Sequence, residues 1–240
     1  MTEEPYRWLE AIGNRREYIR DQLKGGTPVF ACSRPEGILL VGVGQGMSKV
    51  FEIYDRHGLA ALGHPVDIEK IRQAAIEAAH LEGFNRSARD VTLRRLIGFA
   101  LSTTLKNAFE QIYSPPIIVE SIFAELGDSQ REDVLVRVHF DGNHKYISDG
   151  VVAAHIDPKI EDEAVAWLRN HIKPDDSLGR VTSLCLNAWR ALADSKPFAE
   201  LQPSSDPFSA NGKTVEVALL DRKLPGPVHY RSLDFAKLKG

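Results

Sequence analysis

Thr27 is the residue of this sequence whose type and position could support covalent catalysis. It follows a glycine pair, and a threonine at a free chain N-terminus can act as a nucleophile with its own amine or a nearby lysine as the base. Three features favour an ordinary strand residue instead. Pro28 follows it directly, residues 42–44 read Gly-Val-Gly where an acid and a base would be needed, and cleavage would discard a helix within residues 1–26. We therefore predict no catalytic residue in this chain.

Two shorter motifs could bind a metal ion or a phosphate group, but each is incomplete. Glu77 and His80 form half of a carboxylate-bridged metal motif, and no second Glu-x-x-His occurs. Residues 42–46, Gly-Val-Gly-Gln-Gly, resemble a phosphate loop, yet no helix follows them and their glycines do not match the dinucleotide spacing. We predict a packed helix histidine and a mobile inter-strand loop, with no metal site and no cofactor.

Composition and charge exclude several function classes. The chain has 240 residues, of which 43% are hydrophobic and 26% are charged, as in ordinary globular proteins. Its net charge of −3 argues against a nucleic-acid surface. Cys32 and Cys185 lie in apolar runs, which predicts buried thiols in a reducing compartment. The sequence has neither a signal-peptide core nor a membrane-spanning run, so we predict a soluble, cytoplasmic protein with no membrane partner.

Hydrophobic periodicity predicts the elements on either side of Thr27. An amphipathic helix is expected over residues 7–24, after a polar tail of residues 1–6, and the glycine pair ends it. Four strands follow over residues 27–63, which we expect to pair in one antiparallel sheet with Lys49 at its edge. A helix opened by Pro65 and a second apolar helix come next.

The second half of the chain repeats this order. Three strands are predicted over residues 117–125, 134–140 and 146–154. Two helices, a polar loop and a closing hairpin over residues 214–233 follow them. Neither half alternates strand and helix, which disfavours a parallel doubly wound sheet. We predict an α/β/β/α four-layer sandwich, with two antiparallel sheets between helix pairs and an extra N-terminal helix, as a single domain over residues 1–240.

Several segments, in this order and spacing, resemble one known family. They are Glu17-Tyr18-Ile19-Arg20 before Lys24-Gly25, Pro35-Glu36-Gly37-Ile38-Leu39-Leu40, Lys49-Val50-Phe51-Glu52-Ile53-Tyr54-Asp55, and Gly83-Phe84 with Arg89-Asp90-Val91-Thr92. Across roughly residues 6–235 the chain resembles the α-type subunits of the proteasome core particle, in the N-terminal-nucleophile hydrolase superfamily. The last pair resembles the bacterial α-subunits more than the archaeal or eukaryotic ones. The Tyr-Asp-Arg and Pro-Asp-Gly-Arg segments of the archaeal family do not precede the first helix here.

The resemblance implies a non-catalytic subunit in the outer gating ring of a self-compartmentalised proteasome. Copies of the chain would form a heptameric ring, stack on a catalytic β-type subunit and dock an ATPase activator. In the family, the lysine at the position of Lys49 binds the terminal carboxylate of the activator's tail. Arg20 and Gly63 match the other pocket positions, a basic residue and a glycine that lets the tail approach closely.

The resemblance also implies a gate and a change in tail preference. The gate residues would be those of the axial tail, Thr2, Glu3, Glu4, Pro5 and Tyr6. His64 follows Gly63 where the family often has an apolar residue, which implies a different selectivity for the activator's tail.

Two other functions stay open from the sequence. One is an active N-terminal threonine hydrolase processed before Thr27, and the other is a stand-alone proteasome-like scaffold. Without the resemblance, the sequence also allows two of the site residues to be ordinary surface charges with no binding role. Lys49 could be a solvated charge at a strand edge, and Arg20 could be an i,i+3 partner of Glu17 on the helix surface.

Overall fold

Two five-stranded antiparallel sheets form the centre of the protein, whose computed structural model describes residues 4–194, 196–203 and 212–238. The strands of these ranges are β1 (Val29–Arg34), β2 (Gly37–Gly44), β3 (Val50–Tyr54), β4 (His57–Gly63), β5 (Val119–Glu125), β6 (Val134–Val138), β7 (His144–Ile147), β8 (Val151–Ala154), β9 (Thr214–Asp221) and β10 (Tyr230–Leu233). Sheet 1 has the order β10-β9-β2-β1-β8, and sheet 2 has the order β3-β4-β5-β6-β7. Every ladder in both sheets is antiparallel.

Helices cover the outer face of each sheet, apart from the N-terminal helix, which packs into the cluster between the sheets. They are α1 (Glu4–Leu23), α2 (Pro65–Asn85), α3 (Leu93–Arg95), α4 (Ser102–Glu110), α5 (Pro158–His171), α6 (Leu178–Ala193) and α7 (Phe235–Leu238). A π-helical turn, Leu96–Leu101, joins α3 to α4, so this segment is one continuous helical stretch. Within the described ranges, no helix is long and apolar enough to cross a bilayer.

Three buried clusters separate the four layers. One lies between the sheets, a second lies under α5 and α6, and a third lies under α2 and the α3–α4 stretch. The alternation along β1 shows how one strand serves two layers, because Val29 and Ala31 belong to the inter-sheet cluster while Phe30 and Cys32 belong to the cluster under α6. The predicted four-layer sandwich with an extra N-terminal helix is confirmed.

The strand pairing differs from the prediction in two places. The strands of residues 27–63 do not form one sheet, because β1 and β2 lie in sheet 1 while β3 and β4 begin sheet 2. β2 is buried along its whole length as an inner strand, and β9 from the end of the chain takes the place we assigned to β3. Residues 146–154 form parts of β7 and β8 in different sheets, with a bend at Gly150, whose φ is 71°.

The N-terminal helix begins earlier than predicted. Residues 4–6, which we assigned to the axial tail, are the first residues of α1. Proline is favourable in a first helical turn and an acidic residue there suits the helix dipole, which accounts for the extension. Thr2 and Glu3, the first two predicted gate residues, lie outside the described residues. At the other end, the Gly26 amide donates to the carbonyl of Leu23 (2.8 Å), where the helix ends.

α1 is attached to the body of the protein by apolar contacts and by hydrogen bonds from a charged side chain. Ile19 and Leu23 are buried in the inter-sheet cluster. The Arg15 guanidinium donates to the carbonyls of Ala108 (2.7 Å) and Ser114 (2.8 Å), at the end of α4. Cations are favourable at the carbonyl end of a helix, so Arg15 also suits the dipole of α4.

The two cysteines are buried free thiols, as predicted. Cys32 on β1 and Cys185 on α6 have their sulfur atoms 3.9 Å apart. The contact with Cys32, together with burial, raises the pKa of the Cys185 thiol well above its ordinary value. Cys185 is therefore a packing residue of the cluster under α6.

Candidate functional site

Lys49 lies directly before β3, where the chain passes from sheet 1 to sheet 2. Its carbonyl accepts a hydrogen bond from the Ala61 amide (2.9 Å), which extends the pairing of β3 with β4. Glu216 on β9, in sheet 1, binds the backbone of the same segment. One oxygen of its carboxylate, Oε2, accepts from the amides of Lys49 (2.8 Å) and Val50 (3.2 Å). Both sheets therefore fix the backbone that carries the Lys49 side chain.

The ammonium group of Lys49 is half-buried and only partly compensated. It donates to the carbonyl oxygen of Thr27 (3.1 Å), and no carboxylate of the described residues forms an ion pair with it. Burial lowers the pKa of Lys49 to about 8, although the nearby Glu216 carboxylate acts to raise it. At neutral pH the group is still mainly protonated, so the structure presents a partly desolvated cation.

Gly63 lies on β4, two residues beyond Ala61, whose amide binds the Lys49 carbonyl. Its φ is 143°, and a Cβ at this position would clash with the carbonyl oxygen of Ile118. The exposed His64 follows as the N-cap of α2, without a side-chain capping bond. Beside this end of β4, a groove of about 570 Å³ separates Met47 from the first turns of α2.

Arg20 lies on a different part of the surface. It is exposed in the last turn of α1 and lines two clefts, of about 250 and 450 Å³, with residues 155–158 between β8 and α5. Neither cleft includes Lys49 or Gly63. Among the described residues, Arg20 forms no ion pair with Glu17, the partner that helix spacing suggested, while Lys24 pairs with Asp21 (2.6 Å) in the same turn. One chain thus brings Lys49 beside β4, which carries Gly63, and leaves Arg20 apart.

Sequence reasoning missed the ionic network behind the Arg20 clefts. Arg137 on β6 is only 2% exposed, and its guanidinium contacts the carboxylates of Glu120 on β5 (2.5 Å) and Glu161 on α5 (3.0 Å). Burial acts to lower the pKa of Arg137, but Glu120 and Glu161 raise it above its ordinary value. Glu161 also accepts from the His155 amide (2.9 Å), so the network positions the loop that lines the clefts.

A sequence signal for this network was available. Arg137 and Glu120 are opposite charges inside two apolar runs that were both predicted as strands. Buried charges of opposite sign usually pair, so they could have been matched. Glu216 gave a weaker signal, because a single acid in the run of residues 214–220 does not reveal that its partners are backbone amides.

Thr27 is near Lys49, but the intact chain does not arrange it for nucleophilic attack. The Thr27 hydroxyl donates to the carbonyl of Val43 (2.5 Å), and the Lys49 ammonium meets the Thr27 carbonyl rather than its hydroxyl. The amide nitrogen of Thr27 is bonded to Gly26, so it is not a free amine that could act as a base. The arrangement can attract an anion to Lys49, and it engages the Thr27 hydroxyl with a backbone carbonyl.

No family model matches the chain, but its sequence is similar to that of several known proteins. Proteasome subunit alpha of Geodermatophilus obscurus is 32% identical over 219 residues, which cover 90% of this chain and 72% of the relative. Proteasome subunit alpha of Pseudarthrobacter chlorophenolicus is 32% identical over 230 residues, covering 92% of this chain and 89% of the relative. The protein of the same name from Saccharomonospora viridis is 31% identical over 228 residues, with 90% and 81% covered. The chain belongs to the proteasome α-subunit family.

This membership confirms the resemblance read from the segments between residues 17 and 92, including its bacterial type. Proteasome α-subunit relatives match about nine tenths of this chain, so the similarity spans both sheets and both helix layers. The Lys49 end of sheet 2 therefore lies within the region that this chain shares with its proteasome relatives.

Proposed function

We propose that this chain forms the outer, gating ring of a bacterial proteasome and that Lys49 receives the C-terminal carboxylate of an ATPase activator. The observation that carries the proposal is the half-buried Lys49 ammonium, whose charge no carboxylate of the described residues neutralises. A carboxylate is attracted to such a cation more strongly than in bulk water, because the surroundings screen the charge less. Catalysis belongs to a β-type partner in this proposal, and the assembled complex works in the cytoplasm.

The position of Arg20 supports a docking pocket that is built between copies of the chain. Within one chain, Arg20 lines two clefts that include neither Lys49 nor Gly63, so a pocket that combines the three residues needs two neighbouring copies. A ring of seven copies would provide seven such pockets. Residues 2–6, at the start of the chain and of α1, would restrict entry along the ring axis.

Exposed apolar side chains on the helices outside sheet 2 support stacking on a second ring. Leu81 and Phe84 on α2 and Phe99 on the π-helical turn are 63%, 89% and 78% exposed. The Arg95 side chain pairs with Glu82 (2.6 Å) and lies over the Phe99 ring (5.9 Å), which links the two helical segments. Exposed apolar patches mark protein interaction sites, so we assign this face to the β-type subunit.

The Lys49→Ala variant tests the docking assignment. We expect ATPase-stimulated degradation to fall to the unstimulated level, while native mass spectrometry shows the same assembly with the β-type partner as the wild type. Lys145→Ala, which removes an exposed lysine from β7, is the matched control and should retain full stimulation. Unchanged stimulation of Lys49→Ala would show that the tail binds elsewhere.

A second candidate function rests on the short distance between Lys49 and Thr27. Cleavage after Gly26 would free the Thr27 amine near this lysine and give a hydrolase. It would also remove Ile19 and Leu23 from the inter-sheet cluster, where each contributes about 1.5–3 kcal/mol of burial free energy. Intact mass spectrometry of the assembled protein decides between the two, since a chain that begins at Thr27 is required for the hydrolase.

Native mass spectrometry distinguishes a stand-alone scaffold from a ring-forming subunit. A native mass spectrum at micromolar concentration, recorded with and without a candidate β-type subunit, should show ring oligomers and a joint complex. A monomer that ignores the β-type subunit would support the scaffold instead.

A further inference from the structure

A second uncompensated cation lies at the end of β1 that is remote from Thr27. Arg34, the last residue of β1, lines a cavity of about 380 Å³ between the β1–β2 turn, the start of β8 and the end of α5. This volume lies in the range of small-molecule sites, about 300–1,000 Å³. Its lining includes neither Lys49 nor Gly63, and it shares no residue with the two clefts that Arg20 lines.

The Arg34 side chain is buried with part of its hydrogen-bonding capacity unused. It is 5% exposed, and its Nη2 donates to the carbonyls of Pro174 and Asp176 (2.8 Å each) in the loop between α5 and α6. Its Nε is buried and has no hydrogen-bond partner. Across the described ranges, no carboxylate forms an ion pair with Arg34. A buried guanidinium without a counter-ion is unfavourable, so an anion in the cavity would relieve this cost.

The rim of the cavity adds a second cation. Arg169 on α5 lines it and forms an ion pair with Asp149 (2.5 Å), so the lining side chains carry two positive charges and one negative charge. The neutral polar groups are already engaged, because the Ser33 hydroxyl donates to Asp133 (2.6 Å) and the Gln130 amide donates to the Ser33 carbonyl (3.0 Å). The two guanidinium groups are therefore the main donors for a ligand.

We propose that this cavity binds a small organic acid through Arg34 and Arg169. Planar guanidinium groups match carboxylate and phosphate oxygens, to which they can donate two parallel hydrogen bonds. Val151, Ile172 and Pro174 line the same cavity and provide an apolar wall for a short carbon chain. The ligand is thus a compound of a few carbon atoms that carries a carboxylate or a phosphate group, and its binding is independent of the proposed docking at Lys49.

Isothermal titration of the full-length protein with succinate, and separately with inorganic phosphate, at constant ionic strength tests this proposal. We expect at least one of the two anions to bind with a dissociation constant in the millimolar range or tighter. Arg169→Gln should weaken that binding about tenfold, because it removes a charge-assisted donor. Asp149→Asn should strengthen it several-fold, because it frees Arg169 and raises the positive charge of the cavity. The stronger of the two anions identifies the acidic group of the ligand.

Two controls keep the test decisive. Arg231→Gln removes another half-exposed arginine, on the edge strand β10, that pairs with an aspartate, Asp221 (2.9 Å), and should leave the affinity unchanged. Arg34→Lys keeps the charge but loses the planar donor, and should also weaken binding. If Arg34→Lys does not fold, the opposite shifts of Arg169→Gln and Asp149→Asn still decide. No binding of either anion at 10 mM, or equal affinities in the wild type and these two variants, would overturn the proposal.

Discussion

Arg137 and Lys49 are both removed from solvent, but they differ in how far neighbouring groups neutralise their charge. Arg137 is enclosed by two carboxylates and by carbonyls, and its charge is neutralised inside the protein. Lys49 donates to one carbonyl, and the carboxylate that acts to raise its pKa, Glu216, is engaged by backbone amides. The pKa shifts follow this difference, since the pKa of Arg137 is raised and that of Lys49 is lowered.

This contrast separates structural cations from cations that can bind a ligand. A charge that the fold neutralises completely gains nothing from an external anion, and its loss leaves buried carboxylates without a partner. A charge that the fold leaves partly uncompensated can still gain a partner. Lys49 and Arg34 both belong to the second kind, which is why each carries a binding proposal.

The largest effect that tests the contrast is expected for Arg137→Met. Removing the guanidinium leaves the buried Glu120 with His139 (3.0 Å) as its remaining side-chain partner and the partly buried Glu161 without a counter-charge, which should lower the free energy of unfolding by about 3–5 kcal/mol. Urea denaturation monitored by circular dichroism measures the change. The triple variant Arg137→Met, Glu120→Gln, Glu161→Gln should regain most of the loss. A loss below 1 kcal/mol in the single variant would show that the network is not a stabilising unit.

Lys49→Met should have the opposite sign and a smaller size. It removes a desolvated charge and keeps most of the side-chain volume, so the free energy of unfolding at pH 7 should rise by about 1 kcal/mol. The wild type should also gain stability as pH rises from about 8 toward the ordinary lysine pKa, because there the unfolded chain binds more protons than the folded one. Lys49→Met should lack this gain. A destabilised variant would mean that the ammonium is better compensated than its contacts indicate.

The last effect concerns the pH dependence of activator docking. Only protonated Lys49 attracts a carboxylate, so the affinity for an activator tail peptide should be constant below pH 8 and decline above it, by up to tenfold per pH unit. Fluorescence anisotropy with a labelled peptide on the assembled ring measures this decline. Lys49→Arg keeps its charge throughout this range and should bind with little dependence on pH. An identical decline in that variant would assign the titration to another group.

Much of the fold could be predicted because periodicity and turn residues report on local structure. The helix ended by the glycine pair, the proline-opened α2 and the closing hairpin of β9 and β10 all appear in the structure. The pairing of β2 with β9 could not be predicted, because it joins residues far apart in the sequence and no local pattern specifies it. For the same reason, the sequence did not reveal that the four strands of residues 27–63 are divided between two sheets.

The candidate site shows the same division. Lys49 and Gly63 were selected through the family resemblance, and the structure places Lys49 beside β4, the strand that carries Gly63. The location of Arg20 in separate clefts, the role of Glu216 and the enclosure of Arg137 all depend on contacts between elements that are distant in sequence. Residue types suggested which groups carry charge, but only the packing of the two sheets decides which charges are neutralised.

The single Glu216 oxygen that binds two amides has a consequence for how this sequence can change. It fastens the backbone of Lys49, in the first quarter of the chain, to a strand from the last quarter. A substitution in the closing hairpin that moves Glu216 therefore changes the backbone position of Lys49, even if it makes no contact with the lysine side chain. Mutational drift in the two terminal quarters of the chain should be correlated, and a hybrid that joins the first quarter of this protein to the last quarter of a distant relative should assemble yet misplace the lysine.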